Sequence, residues 1–498
     1  MLPGAGYDRA RMRDPAPGSD VTGERHDAIA CAPHVTPFNA VAARSLIAAV
    51  KSRRHERWDR ARLEAHQARA LARVRADAVA RSPFYAERYR AYGDAPFAAL
   101  PSVSKTDLMA RFDDAVTDRR IRFDDVQRHM VEALDGRPYL GRYRILSTSG
   151  TTGVAAVTLQ DDRSFASYLA TFIRAREMGG AAVRPWRRTR AVSIGSTSPW
   201  KVPWQVRDGF RGPWALAELL LATEAVDVLV AELNRIQPEE MTPVTSVARR
   251  LTEEQLAGRL RISPRRVMLT SDVLTQDTRD RIRAAWGREP FDLYATTETG
   301  VLAAECVVGR RKHVLEDMTL VEVVDDDNQP VPAGTWGAKV LVTPLVPGVL
   351  PLIRYELSDL VRLSDVPCPC GRSLAILDAI QGRAEERLLL ARADGEPGTV
   401  AVEPSMFHVL LDGLPVAAWQ VRADDTVLTI VLARPSPALD IAELRGRIER
   451  LLESQGARPA SLHVRVVDEI ERTTAGKLPA VRIDPAGGTP GDAGARPD

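Results

Sequence analysis

The chain lacks any apolar run of the ~18 residues that a membrane-spanning helix needs. Its first residues, MLPGAGYDRARMRDPAPGSD, also lack the apolar core of a secretory leader. Both absences point to a cytoplasmic protein with no membrane partner. Charge excess is missing too: 68 Lys and Arg against 66 Asp and Glu leave a net charge of +2. Nucleic-acid binders carry a basic surplus, so no nucleic-acid partner is expected. Lysine itself is scarce, confined to Lys51, Lys105, Lys201, Lys312, Lys339 and Lys477, which makes a lysine inside a motif informative. Four cysteines in 498 residues make no disulfide scaffold. No internal repeat is visible.

What remains is ordinary water-soluble composition, 45% hydrophobic and 27% charged, at a length that suggests two or more domains. Residues 1–36 and 484–498, rich in Gly, Pro and Asp, read as disordered tails. Between them, residues 38–92 carry apolar positions three and four apart, a helical pattern ended by Ser82-Pro83. From 145 onward, short β-rich runs (190–196, 265–271, 290–296) alternate with helical segments expected at 161–178, 214–234 and 275–287. Such alternation implies an α/β fold. LVEVVDDDNQPVPAG (320–334) reads as strand, turn, strand. Beyond Gly382 a smaller α+β segment reads as a hairpin, a helix over ALDIAELRGRIERLLESQG and a strand over SLHVRVVDEI. The expected organisation is therefore a large domain over 37–382 and a small one over 383–483.

Four short segments carry chemistry. Ser147-Thr148-Ser149-Gly150-Thr151-Thr152-Gly153 follows a strand-like YRIL and puts hydroxyls and unhindered N–H groups on one loop, which suits polyphosphate. No Gly-Lys pair follows, so it is not a Walker A loop. Tyr294-Ala295-Thr296-Thr297-Glu298 places hydroxyls beside a carboxylate at a strand end, where phosphate and Mg²⁺ can be held together. Asp359 closes PLIRYELSD, placed to accept hydrogen bonds from ribose hydroxyls. Arg472-Thr-Thr-Ala-Gly-Lys477 offers a cationic tip late in the chain, able to meet developing negative charge.

In this order the four segments resemble the adenylate-forming superfamily, and its phenylacetate-CoA ligase-like members in particular. SPFYAERY (82–89), LPSVSKTDL (100–108), LNRIQP (233–238), AAECVVGRRKHVLED (303–317) and CPCGR (368–372) extend the resemblance over roughly 60–482. It implies a large N-terminal domain, a small rotating C-terminal domain, and activation of a small organic acid as its acyl-AMP with release of pyrophosphate. By motif, Ser147 to Gly153 would hold the β- and γ-phosphates of ATP, Thr297 the α-phosphate and Glu298 the Mg²⁺. Asp359 would bind ribose with Arg383 nearby, Ser271–Asp272 would lie near adenine, and Tyr294 also belongs to the nucleotide site. Lys477 would bridge acid and α-phosphate. The resemblance suggests an aromatic acid, in a pocket with Trp200, Trp204, Pro243 and Ala295 on its wall and Thr197 and Thr245 as polar handles.

Two features stand beside this reading. Cys306, His313, Cys368 and Cys370 form two close pairs of soft or borderline ligands, a donor set for structural Zn²⁺, and some phenylacetate-CoA ligase-like proteins carry the same pattern. After GRAEE (382–386) the chain departs from the family, with Glu385 where a hinge Asp is common. Adenylation is thus the better supported half-reaction, and the acceptor stays open among coenzyme A, a carrier-protein thiol and an amine. Activation of an inorganic oxyanion such as nitrite, a silent nucleotide-binding homologue, and a homodimer are also left open. The presence together of Glu298, Asp359 and Lys477 favours an enzyme, since a pure binder has little use for Lys477.

Overall fold

The computed structural model describes residues 40–148, 156–181, 188–210, 215–271, 274–383, 388–402, 404–411, 414–423, 427–471 and 478–483. A first helix, Ala40–Arg53, is followed by the longer Arg60–Arg81. Asp59 caps it by accepting from the Arg62 N–H at 2.7 Å, and Leu63, Gln67, Ala70, Leu71, Val74 and Ala78 form its buried stripe. Ser82 ends this helix and caps the next, Pro83–Arg88, whose proline occupies the first turn where no N–H is needed.

Strands β1 (Arg144–Ser147) and β2 (Val157–Gln160) pair antiparallel. Then come β3 (Thr189–Gly195), β4 (Ala215–Leu221), β5 (Glu240–Pro243), β6 (Arg266–Leu269), β7 (Phe291–Thr296), β8 (Gly300–Glu305) and β9 (Lys312–Val314). A separate antiparallel sheet holds β10 (Thr319–Val324), β11 (Lys339–Pro344) and β12 (Tyr355–Leu357). β13 (Asp359–Ser364) and β14 (Ile376–Arg383) return to the large sheet, whose order is β13-β14-β9-β8-β7-β6-β5-β3-β4. The strands from β3 to β7 pair in parallel, and from β7 onward the pairing is antiparallel. β7 is therefore where the sheet changes character. The carboxyl ends of β3, β5, β6 and β7 lie on one edge, where open α/β sheets place their ligands.

Two expectations are corrected. The helix expected at 214–234 divides into edge strand β4 and the helix Val226–Ile236. Ala and Leu favour a helix there, but parallel pairing with β3 prevails. The second strand of 320–334 reduces to a single bridge between Val324 and Pro330, and β10 pairs with β11 instead.

Residues beyond 387 have their own apolar core, built on Phe407, Trp419, Ile430, Leu444, Ile448 and Leu462 among others. It includes β15 (Leu388–Ala391) and β16 (Thr399–Val402), and a four-stranded sheet of β17 (Ala418–Ala423), β18 (Val427–Ala433), β19 (Ser461–Val467) and β20 (Val481–Ile483). The hairpin, helix and strand read from the sequence are β17–β18, Ile441–Ser454 and β19. Among the described residues no helix is long and apolar enough to cross a membrane.

Candidate active site and metal centre

The turn between β7 and β8 carries Thr297, Glu298 and Thr299. Thr296 and Thr299 hydroxyls lie 2.9 Å apart, and the Thr299 N–H donates to Thr296 Oγ1 at 3.3 Å. Gly300 has φ +83°, and a Cβ there would sit 2.6 Å from Thr171 Oγ1, the acceptor of the Val301 N–H at 3.0 Å. Only glycine lets the turn close this tightly on helix Asp162–Met178. Glu298 is buried, and the Tyr355 hydroxyl donates to its Oε1 at 3.4 Å. Burial, then the charge of Glu298, pushes the Tyr355 phenol well above its ordinary pKa, and Tyr168 is raised for the same two reasons. Both phenols stay protonated around this carboxylate. A cleft opens against Glu298, lined also by Ser164, Ser167, Tyr168, Thr171 and Thr319.

Tyr355 belongs to the third sequence segment and is braced by two of the N-terminal ones. Tyr85 of SPFYAERY donates to Pro351 O at 2.8 Å and accepts from the Ile353 N–H at 3.3 Å. Val103 of LPSVSKTDL bridges Tyr355 in parallel, and the Ser102 hydroxyl donates to Glu356 at 2.5 Å. Arg354, buried at φ +48°, is held by Glu322 and by the carbonyls of Ala98, Leu100 and Asn328. These motifs set the place of Tyr355, which sequence reading passed over. The signal was its position inside PLIRYEL.

Ser147 ends β1, buried; its N–H donates to Trp200 O at 2.8 Å. Thr148 and Ala156 close the stem of the following loop, Thr148 N–H to Ala156 O at 2.9 Å and Ala156 N–H to Thr148 Oγ1 at 2.8 Å. Ser149, Gly150, Thr151, Thr152 and Gly153 lie outside the described residues, as do Asp272 and Lys477. Asp359 pairs in register with Arg383 across β13 and β14; the Arg383 side chain is also outside the described set.

Six of the remaining candidates lie at or just past the carboxyl ends of the parallel strands. Thr197 follows β3, Pro243 ends β5, and Thr245 starts the next helix, its hydroxyl donating to Thr270 O at 3.4 Å. Ser271, exposed at φ +82°, follows β6. Tyr294 and Ala295 lie on β7. Trp200 is 6% exposed, packs in the main core, and donates its indole N–H to Met130 O at 2.9 Å. Trp204 is partly covered by Arg207, 4.3 Å above its ring, and by Gly136, where a Cβ would meet the indole nitrogen at 2.8 Å.

Cys306, His313, Cys368 and Cys370 come together at the other end of β8. Their ligand atoms all lie within 4.8 Å of one another. Cys306 Sγ is 3.6 Å from Cys368 Sγ, and Cys370 Sγ is 3.2 Å from His313 Nε2. Zn–S bonds of ~2.3 Å would set tetrahedral sulfur pairs about 3.8 Å apart, close to the first separation. His313 Nδ1 faces Leu374 O at 3.5 Å, so Nε2 is the nitrogen turned to the thiols. Gly309 must be glycine: a Cβ would lie 2.3 Å from Cys368 Sγ. Burial opposes a Cys306 thiolate, yet N–H groups of Gly309, Arg311 and Val308 outweigh it and lower its pKa. Burial raises Cys368, and so do its thiol neighbours Cys370 and Cys306. Three thiols and an imidazole this close, one of the thiols already favoured as thiolate by surrounding N–H groups, fit a dication among them.

A buried ion network ties this centre to the N-terminal helices. Arg174, fully buried, donates to Glu56 and Asp317 at 3.0 Å each, and Arg372 donates to Glu56 at 2.6 Å.

No family model matches the chain. It is 27% identical over 419 residues to the phenylacetate-coenzyme A ligase of Thermus thermophilus, covering 78% of this chain and 82% of that protein. It is also 27% identical to the phenylacetate-coenzyme A ligase of Aromatoleum evansii, over half of this chain and 56% of the relative. In three dimensions it resembles 2-hydroxyisobutyryl-CoA ligase in the postadenylation state, with TM-score 0.67 and 20% identity, covering 86% of this chain and 91% of the other.

Proposed function

Because the chain is a homologue of the phenylacetate-coenzyme A ligases with the fold of the adenylate-forming enzymes, we propose that it activates a small aromatic carboxylic acid with ATP and passes the acyl group to the thiol of coenzyme A. An oxygen of the acid attacks the α-phosphorus of ATP. The bond from that phosphorus to the bridging oxygen breaks, and pyrophosphate leaves with the electron pair. The acceptor thiolate then attacks the acyl carbonyl and AMP leaves, the thiol proton passing to water.

The observation that carries this reading is the buried Glu298 on the β7–β8 turn, held by Tyr355 where the sheet changes from parallel to antiparallel. A buried carboxylate beside several threonine and serine hydroxyls fits Mg²⁺, a hard cation that prefers oxygen. When bound, Mg²⁺ would offset the charge that accumulates as two anions meet. Thr297 lies on the same turn for the α-phosphate, and the Ser147–Gly153 loop would cradle the outer phosphates. Asp359, in register with Arg383, would hold the ribose. Tyr294 and the Ser271–Asp272 segment would flank the base. Lys477 would bring its ammonium to the acid and α-phosphate, where charge is greatest in the transition state. The acid would lie along Thr197, Pro243, Thr245 and Ala295, with Trp204 at the side and Trp200 behind. Cys306, His313, Cys368 and Cys370 would hold a structural Zn²⁺, since four protein ligands leave no open coordination position.

Screening an acid library for pyrophosphate release with MgATP tests the proposal. Pyrophosphate and an acyl-AMP are expected with arylalkanoic or aryl acids. Formation of ADP and phosphate alone would overturn adenylation, and activity confined to short aliphatic acids would overturn the aromatic assignment.

A further inference from the structure

Lys201 is one of six lysines and lies outside all four motifs. It is the N-cap of helix Val202–Gly209, an unfavourable place for a cation because the helix dipole is positive there. Its ammonium is nonetheless held by three oxygens: Thr148 O at 2.7 Å, Ser147 O at 3.0 Å and Ser147 Oγ at 3.2 Å. A lysine ammonium has three N–H donors, and three acceptors of one stem converge on it. The backbone repeats the attachment, since the Ser147 N–H donates to the carbonyl of Trp200, the preceding residue. Trp200 is itself fixed by its bond to Met130 O.

We propose that Lys201 is a positioning residue for the phosphate loop. It pins Ser147 and Thr148, so that the strand end from which the loop continues is already fixed when nucleotide binds. The role rests on the reading of Ser147–Gly153 as the phosphate loop. Beyond geometry, the ammonium and the helix N-terminus make the stem electropositive, which favours a polyanion.

The test is Lys201→Met in the full chain, with two readouts. The first is hydrogen exchange of the Ser147 and Thr148 amides without nucleotide. The second is the split between KM for MgATP, KM for the acid and kcat. Loss of charge-assisted bonds of this kind should speed exchange at these amides ~10-fold or more and raise KM for MgATP by about the same factor. KM for the acid should change less than about twofold, because the acid edge of β5 to β7 is untouched. Unchanged exchange, or faster exchange with unchanged KM for MgATP, overturns the proposal. Wild-type protein that binds no MgATP by titration calorimetry overturns the phosphate-loop reading itself, and the role of Lys201 with it; that outcome is read on the wild type alone. Should the Met variant fail to fold, Lys201→Arg carries the same readouts. It keeps the charge, but a planar fork cannot bring three donors to these three oxygens. Wild-type exchange and KM in the Arg variant would likewise overturn the proposal.

Discussion

The two ends of β8 carry opposite coordination chemistry. Glu298 lies two residues before the strand and Cys306 directly after it, and all six residues of the strand are buried. At about 3.3 Å per residue the strand holds these ends ~20 Å apart. The Glu298 end is built of oxygen: one carboxylate, two phenols and the hydroxyls of the adjoining cleft. It suits a hard cation. The other end is built of sulfur and imidazole, and its four groups already face one another. It suits a soft or borderline cation, and four protein ligands would fill a tetrahedral coordination shell. One rigid strand can therefore separate a reacting site from a fastening site. If that division holds, damage at one end should leave the other intact.

The largest effect is expected at the oxygen end. Glu298→Gln keeps the shape and removes the charge, so pyrophosphate release should fall ~10²–10³-fold, as for loss of one strong electrostatic contact. Metal content and melting temperature should stay near wild type. A variant that also sheds its zinc would break the comparison, since the two ends would then not be independent.

At the sulfur end the opposite pattern is expected. Purified protein should contain about one zinc per chain. Cys368→Ser should lose it and cost about 3 kcal/mol of stability, a fall in melting temperature of roughly 3–5 °C. KM for MgATP of the folded protein should be unchanged at low temperature. Metal-free wild type with freely reactive thiols would remove the zinc assignment.

The ion network behind the Cys306–His313–Cys368–Cys370 cluster gives a pH-dependent effect. Burial opposes ionisation of Asp317, but the charge of Arg174 and bonds from His55 and Arg174 outweigh it, so its pKa lies below the usual 3.8. A depressed carboxylate pKa stabilises the fold above the unfolded value and loses that contribution as pH falls through the folded one. Asp317→Asn should therefore cost about 3 kcal/mol near pH 7, as for one partner removed from a buried pair. The gap from wild type should close below about pH 4, and urea unfolding across pH 2–7 would measure it. A gap of constant size would mean that Asp317 acts by packing alone.

The sequence made one end of β8 more legible than the other. Cys306-x6-His313 and Cys368-Pro-Cys370 named all four residues that the fold brings together, because cysteine and histidine are rare in this chain. Glu298 was readable from its motif, but Tyr355 and Tyr168 were not. Their nearness to Glu298 spans 57 and 130 residues of chain (355 − 298 and 298 − 168), and no local pattern records it. Lys201 was visible as a rare lysine, yet its task depends on β1 and helix Val202–Gly209 meeting in space. In the fold, β3, β6 and β7 announced themselves by β-branched and apolar runs. β4 did not, because its Ala-Leu sequence favours a helix and only pairing with β3 makes it a strand.

The smallest effect sharpens the comparison most, because it tests how the oxygen end is held without touching its charge. Tyr355→Phe removes one hydroxyl and leaves the ring in the core, where the residue is 2% exposed. The bond lost is 3.4 Å long, near the limit for a hydrogen bond, so it is worth less than most bonds to a charged acceptor. Its loss lets the Glu298 carboxylate turn, which matters most when a cation must find it. The Mg²⁺ concentration for half-maximal pyrophosphate release should rise ~3–10-fold, in line with one weak charge-assisted bond. At saturating Mg²⁺, kcat should return to within about twofold of wild type, because the reacting groups themselves are present. Zinc content should not move, since the phenol lies at the far end of β8 from the thiols. If the Mg²⁺ requirement stays put while the melting temperature falls, Tyr355 serves the core and not Glu298. The carboxylate would then owe its orientation to contacts other than Tyr355.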